Sequence, residues 1–275
     1  MFVPDTKGKF PYPEDTASHY LKVKINRGIS FNEDYPYVDY SKGFAFKRFW
    51  VRLLLTILVF PILNFFKTGL KIKGKGNLKK YKSIIINGAI TISNHIHMWD
   101  YICVMKALHR YNWPYLLAWD KNVNGESGPL VRMVGGIPIP LNYNAATVAF
   151  YNAPNKVLED KNLLHIYAEG SMWEYYVPIR PFKSGAASLA VKNNKPIIPM
   201  AFSYRKPSWI RAKIFKQLAA LTLNIGEPIY PNKDIEKTKQ VEDLTIRAHE
   251  AICHLAGIDN NNIYSPIYNN SKKKD

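Results

Sequence analysis

Beyond Gly69 the chain alternates short β-branched or aromatic runs with stretches of helical pattern, and this alternation restricts the fold more than any other feature. The expected strands are 84–86, 90–93, 115–118, 136–139, 163–167, 197–204 and 220–225. The expected helices lie at about 98–109, 145–159, 184–192 and 237–255. Asn87-Gly88 reads as a tight turn between the first two strands. Strands separated by helices of this length predict an α/β class with a mixed, mostly parallel central sheet covered by helices. Sites in such sheets collect where loops leave the carboxyl ends of strands.

The segment upstream has a different character. Residues 1–42 are rich in Pro, Tyr, Asp and Lys, show no period, and read as an irregular arm. Residues 43–68 form an apolar membrane-binding helical segment: 53–60 is nearly uninterrupted apolar sequence, extended by Ile62, Leu63, Phe65 and Phe66. A bilayer crossing needs about 20 mostly apolar residues. Pro61, Asn64 and Arg52 interrupt this run, so a kinked helix or helix pair dipping into one leaflet is expected. Residues 69–258 then form the catalytic domain, and 259–275 a polar tail with Lys272, Lys273 and Lys274.

Charge points the same way. The 275 residues carry 38 Lys and Arg against 21 Asp and Glu, a net +17, which calls for a polyanionic neighbour. Lys47, Arg48, Arg52 and Lys67 flank or enter the apolar segment, and Lys71, Lys73, Lys75, Lys79, Lys80 and Lys82 follow it. Each such cation near an anionic leaflet adds about 1 kcal/mol of attraction. The expected partner is an anionic membrane surface, at the cytoplasmic face of the cell membrane. Nucleic acid is not expected, because the lysines cluster beside the apolar run and no nucleic-acid module is legible. The opening MFVPDTKGKFPYPED lacks the order of a secretory signal. The two cysteines, Cys103 and Cys253, lie in apolar stretches and read as buried thiols.

Chemistry concentrates at Asn94-His95-Ile96-His97-Met98-Trp99-Asp100. His95 falls at a strand's carboxyl end and Asp100 about one turn further on. A carboxylate bonded to one imidazole nitrogen fixes the tautomer, and the other nitrogen can then take a proton from a hydroxyl. This is the base-and-orienter half of a triad, with the substrate's alcohol as nucleophile. His97 reads as a packing histidine, since no carboxylate or cysteine set completes a metal site. Trp99 and Trp173 line the pocket, face lipid or pack in the core. Ser171 does not sit in a G-x-S-x-G elbow, and no P-loop, HExxH or dinucleotide fingerprint occurs.

Further blocks follow in order: Gly135-Gly136-Ile137-Pro138-Ile139-Pro140, Glu169-Gly170-Ser171, Pro181-Phe182-Lys183-Ser184-Gly185-Ala186, and Lys195-Pro196-Ile197-Ile198-Pro199. The glycine-opened block has the character of a strand that brings backbone close to a ligand. Together, over roughly residues 70–226, these segments resemble the glycerolipid acyltransferase family typified by lysophosphatidic acid acyltransferases. That family carries N-H-x-x-x-x-D, then G-x-I-x-I-x-R, then E-G-T-R, then V-P-I-x-P, with a P-F-K-x-G-A run.

The resemblance implies a glycerolipid acyltransferase-like fold and an O-acyltransferase. It would move a fatty acyl group from acyl-CoA or acyl-acyl carrier protein to a lysophospholipid hydroxyl, typically lysophosphatidate to phosphatidate, with no cofactor and no metal. His95 would be the general base and Asp100 its orienter. Asn94, Gly136, Ile137, Glu169, Gly170 and Ser171 carry over as substrate-binding positions. Two departures stand out: the family's arginines fall on Leu141 and Met172, neither of which can make a bidentate phosphate contact. Arg180 and Lys183 are the nearest replacement cations. Loss of both arginines also leaves open a different lysolipid, or an amine-containing lipid, as acceptor.

Overall fold

The computed structural model describes residues 2–19, 21–140 and 144–258, so Leu141 and the tail 259–275 lie outside the described residues. Seven strands form one sheet: β1 (Lys71–Lys73), β2 (Ile90–Ser93), β3 (Pro114–Trp119), β4 (Gly136–Ile139), β5 (Leu163–Tyr167), β6 (Ile197–Arg205) and β7 (Ala220–Ile225). Their spatial order is β1-β7-β6-β2-β5-β3-β4. Every pairing is parallel except β6 with β7. The expected mixed, mostly parallel sheet is therefore what forms.

Two apolar layers explain why the central strands read as nearly continuous hydrophobic runs. One face of the sheet packs on the helices Asn144–Glu159, Gly185–Asn193 and Lys237–Ala256, through residues such as Ile92, Phe150, Leu189 and Ile252. The other packs on Asp100–Leu108 and the short helices Lys75–Lys80 and Lys82–Ile86, through Val104, Leu78, Ile85 and Phe202. Cys103 and Cys253 are buried and unbridged in these layers.

Two sequence expectations fail locally. Residues 84–86, read as a strand, close the helix Lys82–Ile86 instead. Ile85 is buried on the lower layer while Ile86 stays exposed, a one-sided burial that a single helical turn supplies. Asn87-Gly88 consequently ends a helix and does not join two strands. Gly88 takes φ +83°, where a Cβ would meet the carbonyl of Leu158 at 2.9 Å. The three-residue β1 was hidden in what reads as a charge run, Lys71-Ile72-Lys73.

The apolar segment is one helix of 27 residues, Lys42–Thr68, roughly 40 Å long at 1.5 Å per residue. It is neither a helix pair nor broken at Pro61. Wide π-type turns at Leu55–Val59 and Asn64–Thr68 flank Pro61. Such turns absorb the backbone donor that proline lacks and the crowding its ring causes. One narrow side docks on the domain: Leu55 and Phe60 pack on Met105 and Val134. Arg48 and Arg52, expected among the flanking cations, also turn inward. Arg48 donates to the Tyr115 hydroxyl at 2.8 Å, and Arg52 lies 5.1 Å over the Trp113 ring. The opposite side leaves Phe46, Phe49, Trp50, Ile57, Leu58 and Phe65 exposed.

The carboxyl end of β2 is fixed by Asn94. Its side-chain amide donates to the Phe202 carbonyl at 3.0 Å and its oxygen accepts from the Phe202 amide at 2.7 Å. Asn94, expected to touch substrate, is fully buried and serves as a clamp between β2 and β6. Asn94→Ala strands two buried backbone groups and is expected to cost about 2–4 kcal/mol of stability, read as a lowered urea midpoint at unchanged slope.

Candidate active site

His95 and Asp100 meet where β2 ends and the helix Asp100–Leu108 begins. The His95 Nδ1 lies 2.7 Å from Asp100 Oδ2. Asp100 is fully buried, and its other contacts are all donors. The backbone amides of Ile96 and His97 donate to Oδ2 at 3.2 and 3.4 Å, and the Tyr167 hydroxyl donates to Oδ1 at 2.6 Å. A carboxylate surrounded this way is an acceptor only, so the His95 Nδ1–H donates to it and Nε2 is the basic nitrogen. The helix N-terminus at Asp100 further favours the negative charge.

Tyr167, the last residue of β5, was not singled out by the sequence and is central here. Its ring stacks on His95 at 3.6 Å between centroids and 7° between planes. Burial, then the adjacent Asp100, pushes its hydroxyl well above the ordinary tyrosine range, so it stays a donor. Below it His165 is fully buried, 2.9 Å from Thr91 Oγ1 and 3.3 Å from Ser93 Oγ. Burial holds His165 down to about 3. His97 is held down to about 4, again by burial, and its Nδ1 accepts from the Trp99 amide at 3.1 Å. His97 is thus the neutral packing histidine anticipated.

Glu169, expected at the substrate, is instead a buried hub. Its Oε2 accepts from the His95 amide and from Arg180 Nη2, both at 3.0 Å, and Oε1 accepts from the Arg180 amide at 2.9 Å. Arg180 is also buried. Its Nη1 donates to Ser171 Oγ at 2.7 Å and to the Thr16 carbonyl at 3.0 Å, its Nη2 to the Ser171 carbonyl, and its guanidinium lies 4.4 Å over Trp173. Both residues, expected at the substrate, are committed to protein contacts here: a guanidinium so placed holds the loop after β5. The Trp173 amide closes that loop onto the His95 carbonyl at 3.0 Å. Met172, at a position where the family has arginine, is buried.

Gly136 and Ile137 are likewise core residues. Parallel register sets Gly136 level with Leu116, His165 and Thr91, below the edge that carries His95. The glycine is required for close packing: a Cβ would fall 2.7 Å from the Val131 carbonyl. Gly170 and Lys183 do lie together, beside the buried Ser171. Gly170 has φ +78°, and the Lys183 side chain lies across its open face, 2.6 Å from where a Cβ would be. Among the described residues no cluster of His, Cys, Asp and Glu suits a metal ion.

Residues 69–203 match the acyltransferase family model. Among solved structures, the chain is similar to the 1-acyl-sn-glycerophosphate (LPA) acyltransferase PlsC of Thermotoga maritima. That similarity has 15% identity and a TM-score of 0.47, covering 78% of this chain and 90% of that one. No curated protein matches the sequence.

His97 and His165, two of the buried histidines, make stability depend on pH. In the unfolded chain each binds a proton near pH 6.5 that the fold refuses until about 4 for His97 and about 3 for His165. Stability is therefore complete above pH 6.5 and is lost as pH falls, by about 1.4 kcal/mol per unit per histidine. Chemical denaturation between pH 7 and 4.5 is expected to show this decline, with a shallower slope in His165→Gln.

Proposed function

We propose that the chain, whose residues 69–203 match the acyltransferase family model, acylates the hydroxyl of a lysophospholipid, lysophosphatidate first among them. The observation that carries this reading is the 2.7 Å contact of His95 with a buried Asp100 at the end of β2. His95 Nε2 takes the proton from the acceptor's alcohol as its oxygen attacks the thioester carbonyl. The carbon–sulfur bond then breaks, and the protonated imidazole returns the proton to the departing thiolate. Asp100 supports the charge that His95 gains, and Tyr167 holds Asp100 and the ring in one geometry. Acyl-CoA and acyl-acyl carrier protein both supply the thioester, and the mechanism needs no cofactor.

His95→Ala is expected to lower thioester-dependent acylation about 10²- to 10⁴-fold while the protein stays folded. Near-normal turnover would remove His95 from the chemistry. The burial of Met172 and the enclosure of Arg180 favour a second reading, in which the acceptor is a lysolipid with a larger or amine-bearing head group. The same assay run over a panel of acceptors separates the two, since a clear preference for lysophosphatidate rejects the second.

Membrane association is the other part of the proposal. Its support is the long helix Lys42–Thr68, whose exposed side is almost wholly apolar and aromatic. Because its other side is packed on the domain from Arg48 to Thr68, the docked helix fits a position lying on one leaflet better than a crossing. The arm 1–42, helix 43–68 and domain 69–258 act in this reading as strap, anchor and catalyst at a cytoplasmic membrane surface. In flotation, the protein is expected to rise with vesicles rich in phosphatidylglycerol and much less with neutral vesicles. Binding to duplex DNA without flotation would overturn it.

A further inference from the structure

The N-terminal arm lies wholly upstream of the matched family segment, yet it is built into the site. Its backbone satisfies buried donors: the Ser18 carbonyl accepts from Ser171 Oγ at 3.1 Å and Trp173 Nε1 at 2.9 Å, and the Thr16 carbonyl accepts from Arg180 at 3.0 Å. Rings fasten it further back. Tyr12 stacks on Trp173 at 5.5 Å and donates to the Glu174 carbonyl at 2.6 Å, while Phe10 packs on Tyr175 at 5.1 Å. Since Trp173, Arg180 and Ser171 are all nearly inaccessible with the arm in place, it is a wall and not a lid resting on a finished surface.

The wall ends by presenting His19. Its ring stacks on Trp119, at the carboxyl end of β3, with centroids 3.9 Å apart and planes 12° apart. Trp119 also carries the Lys121 ammonium, 4.9 Å from its ring. Burial first, then Lys183, Lys121, Arg180 and His95, holds His19 down to about 4. The ring is therefore neutral near pH 7. A stacked neutral imidazole offers one N–H donor, and an arriving dianion would let it take up a proton as well.

Resting on the acyltransferase reading above, we propose that His19 is a specificity-determining residue. Held by the arm against Trp119, it reads a phosphate group of the substrate next to His95. This gives the chain a phosphate contact that comes from outside the family segment, where Met172 has replaced an arginine. The phosphate can belong to the lysolipid acceptor or to the CoA part of the donor.

The test is steady-state kinetics of the full-length wild type, His19→Ala and His19→Gln. Acceptors are lysophosphatidate and monoacylglycerol; donors are acyl-CoA and acyl-pantetheine, which lacks phosphate. His19→Ala is expected to raise KM about tenfold for the phosphate-bearing partner with a much smaller loss in kcat, and His19→Gln to recover part of it. The phosphate-free counterpart should show little change. A rise confined to lysophosphatidate places the phosphate on the acceptor, and one confined to acyl-CoA places it on the donor. Unchanged KM for both overturns the proposal, as does an equal rise with phosphate-free substrates. A wild type that acylates no lysolipid or glyceride with either donor is a failure of the acyltransferase reading itself, distinguishable from these. Replacement is expected to leave the melting temperature in place, and a large drop would mark a structural role instead.

Discussion

The buried carboxylate of Glu169 holds the site together. It accepts from the amide of the catalytic-candidate histidine, from the guanidinium of Arg180, and from the backbone of Arg180. Burying an ion pair costs several kcal/mol per ion unless the remaining donors and acceptors are met. Here Arg180 meets most of them by reaching Ser171 and the Thr16 carbonyl, so β2, the loop after β5 and the N-terminal arm become one unit. Losing either partner would leave a charge in a dry interior, and every distance around His95 depends on that not happening.

Around this unit the site is a stack of aromatic and hydrogen-bonded layers. Tyr167 bears on His95 from one side and on Asp100 through its hydroxyl, while His165 sits beneath it between Thr91 and Ser93. The consequence is a histidine with little rotational freedom and a fixed tautomer. Positioning of this kind is what general-base catalysis needs, because proton transfer is steeply sensitive to geometry. The neutral state of His97 and His165 keeps positive charge from accumulating behind the His95 ring.

Much of this was legible in advance. Six of the seven strands follow from β-branched runs bounded by turns, and His95 with Asp100 follows from their five-residue spacing at a strand end. Ile84-Ile85-Ile86 has the β-branched composition of a strand, but tertiary packing buries Ile85 and leaves Ile86 exposed, which a helical turn satisfies. Glu169, Arg180 and Asn94 have the residue types of ligand contacts, but only the register reveals that they face neighbouring backbone. Tyr167 and His165 passed as ordinary strand residues, since alternation says which face a side chain takes and not what it meets there. The arm shows no period, and the carbonyls of Thr16 and Ser18 that tie it to the site are encoded by no side-chain pattern.

Those carbonyls have a bearing on how the protein comes to be active. Ser18 and Ser171 are 153 positions apart, and Thr16 and Arg180 are 164 apart. The arm is therefore made well before the segments that seat it. At ordinary translation speeds the partners of the arm emerge roughly ten to thirty seconds after it does. Closing so long a loop is slow and yields nothing until both ends have met. A nascent or amino-terminally clipped chain would thus hold its histidine and aspartate beside an unfinished wall. Completion of the site is in effect deferred until the segments around Ser171 and Arg180 have been made and the arm has docked on them.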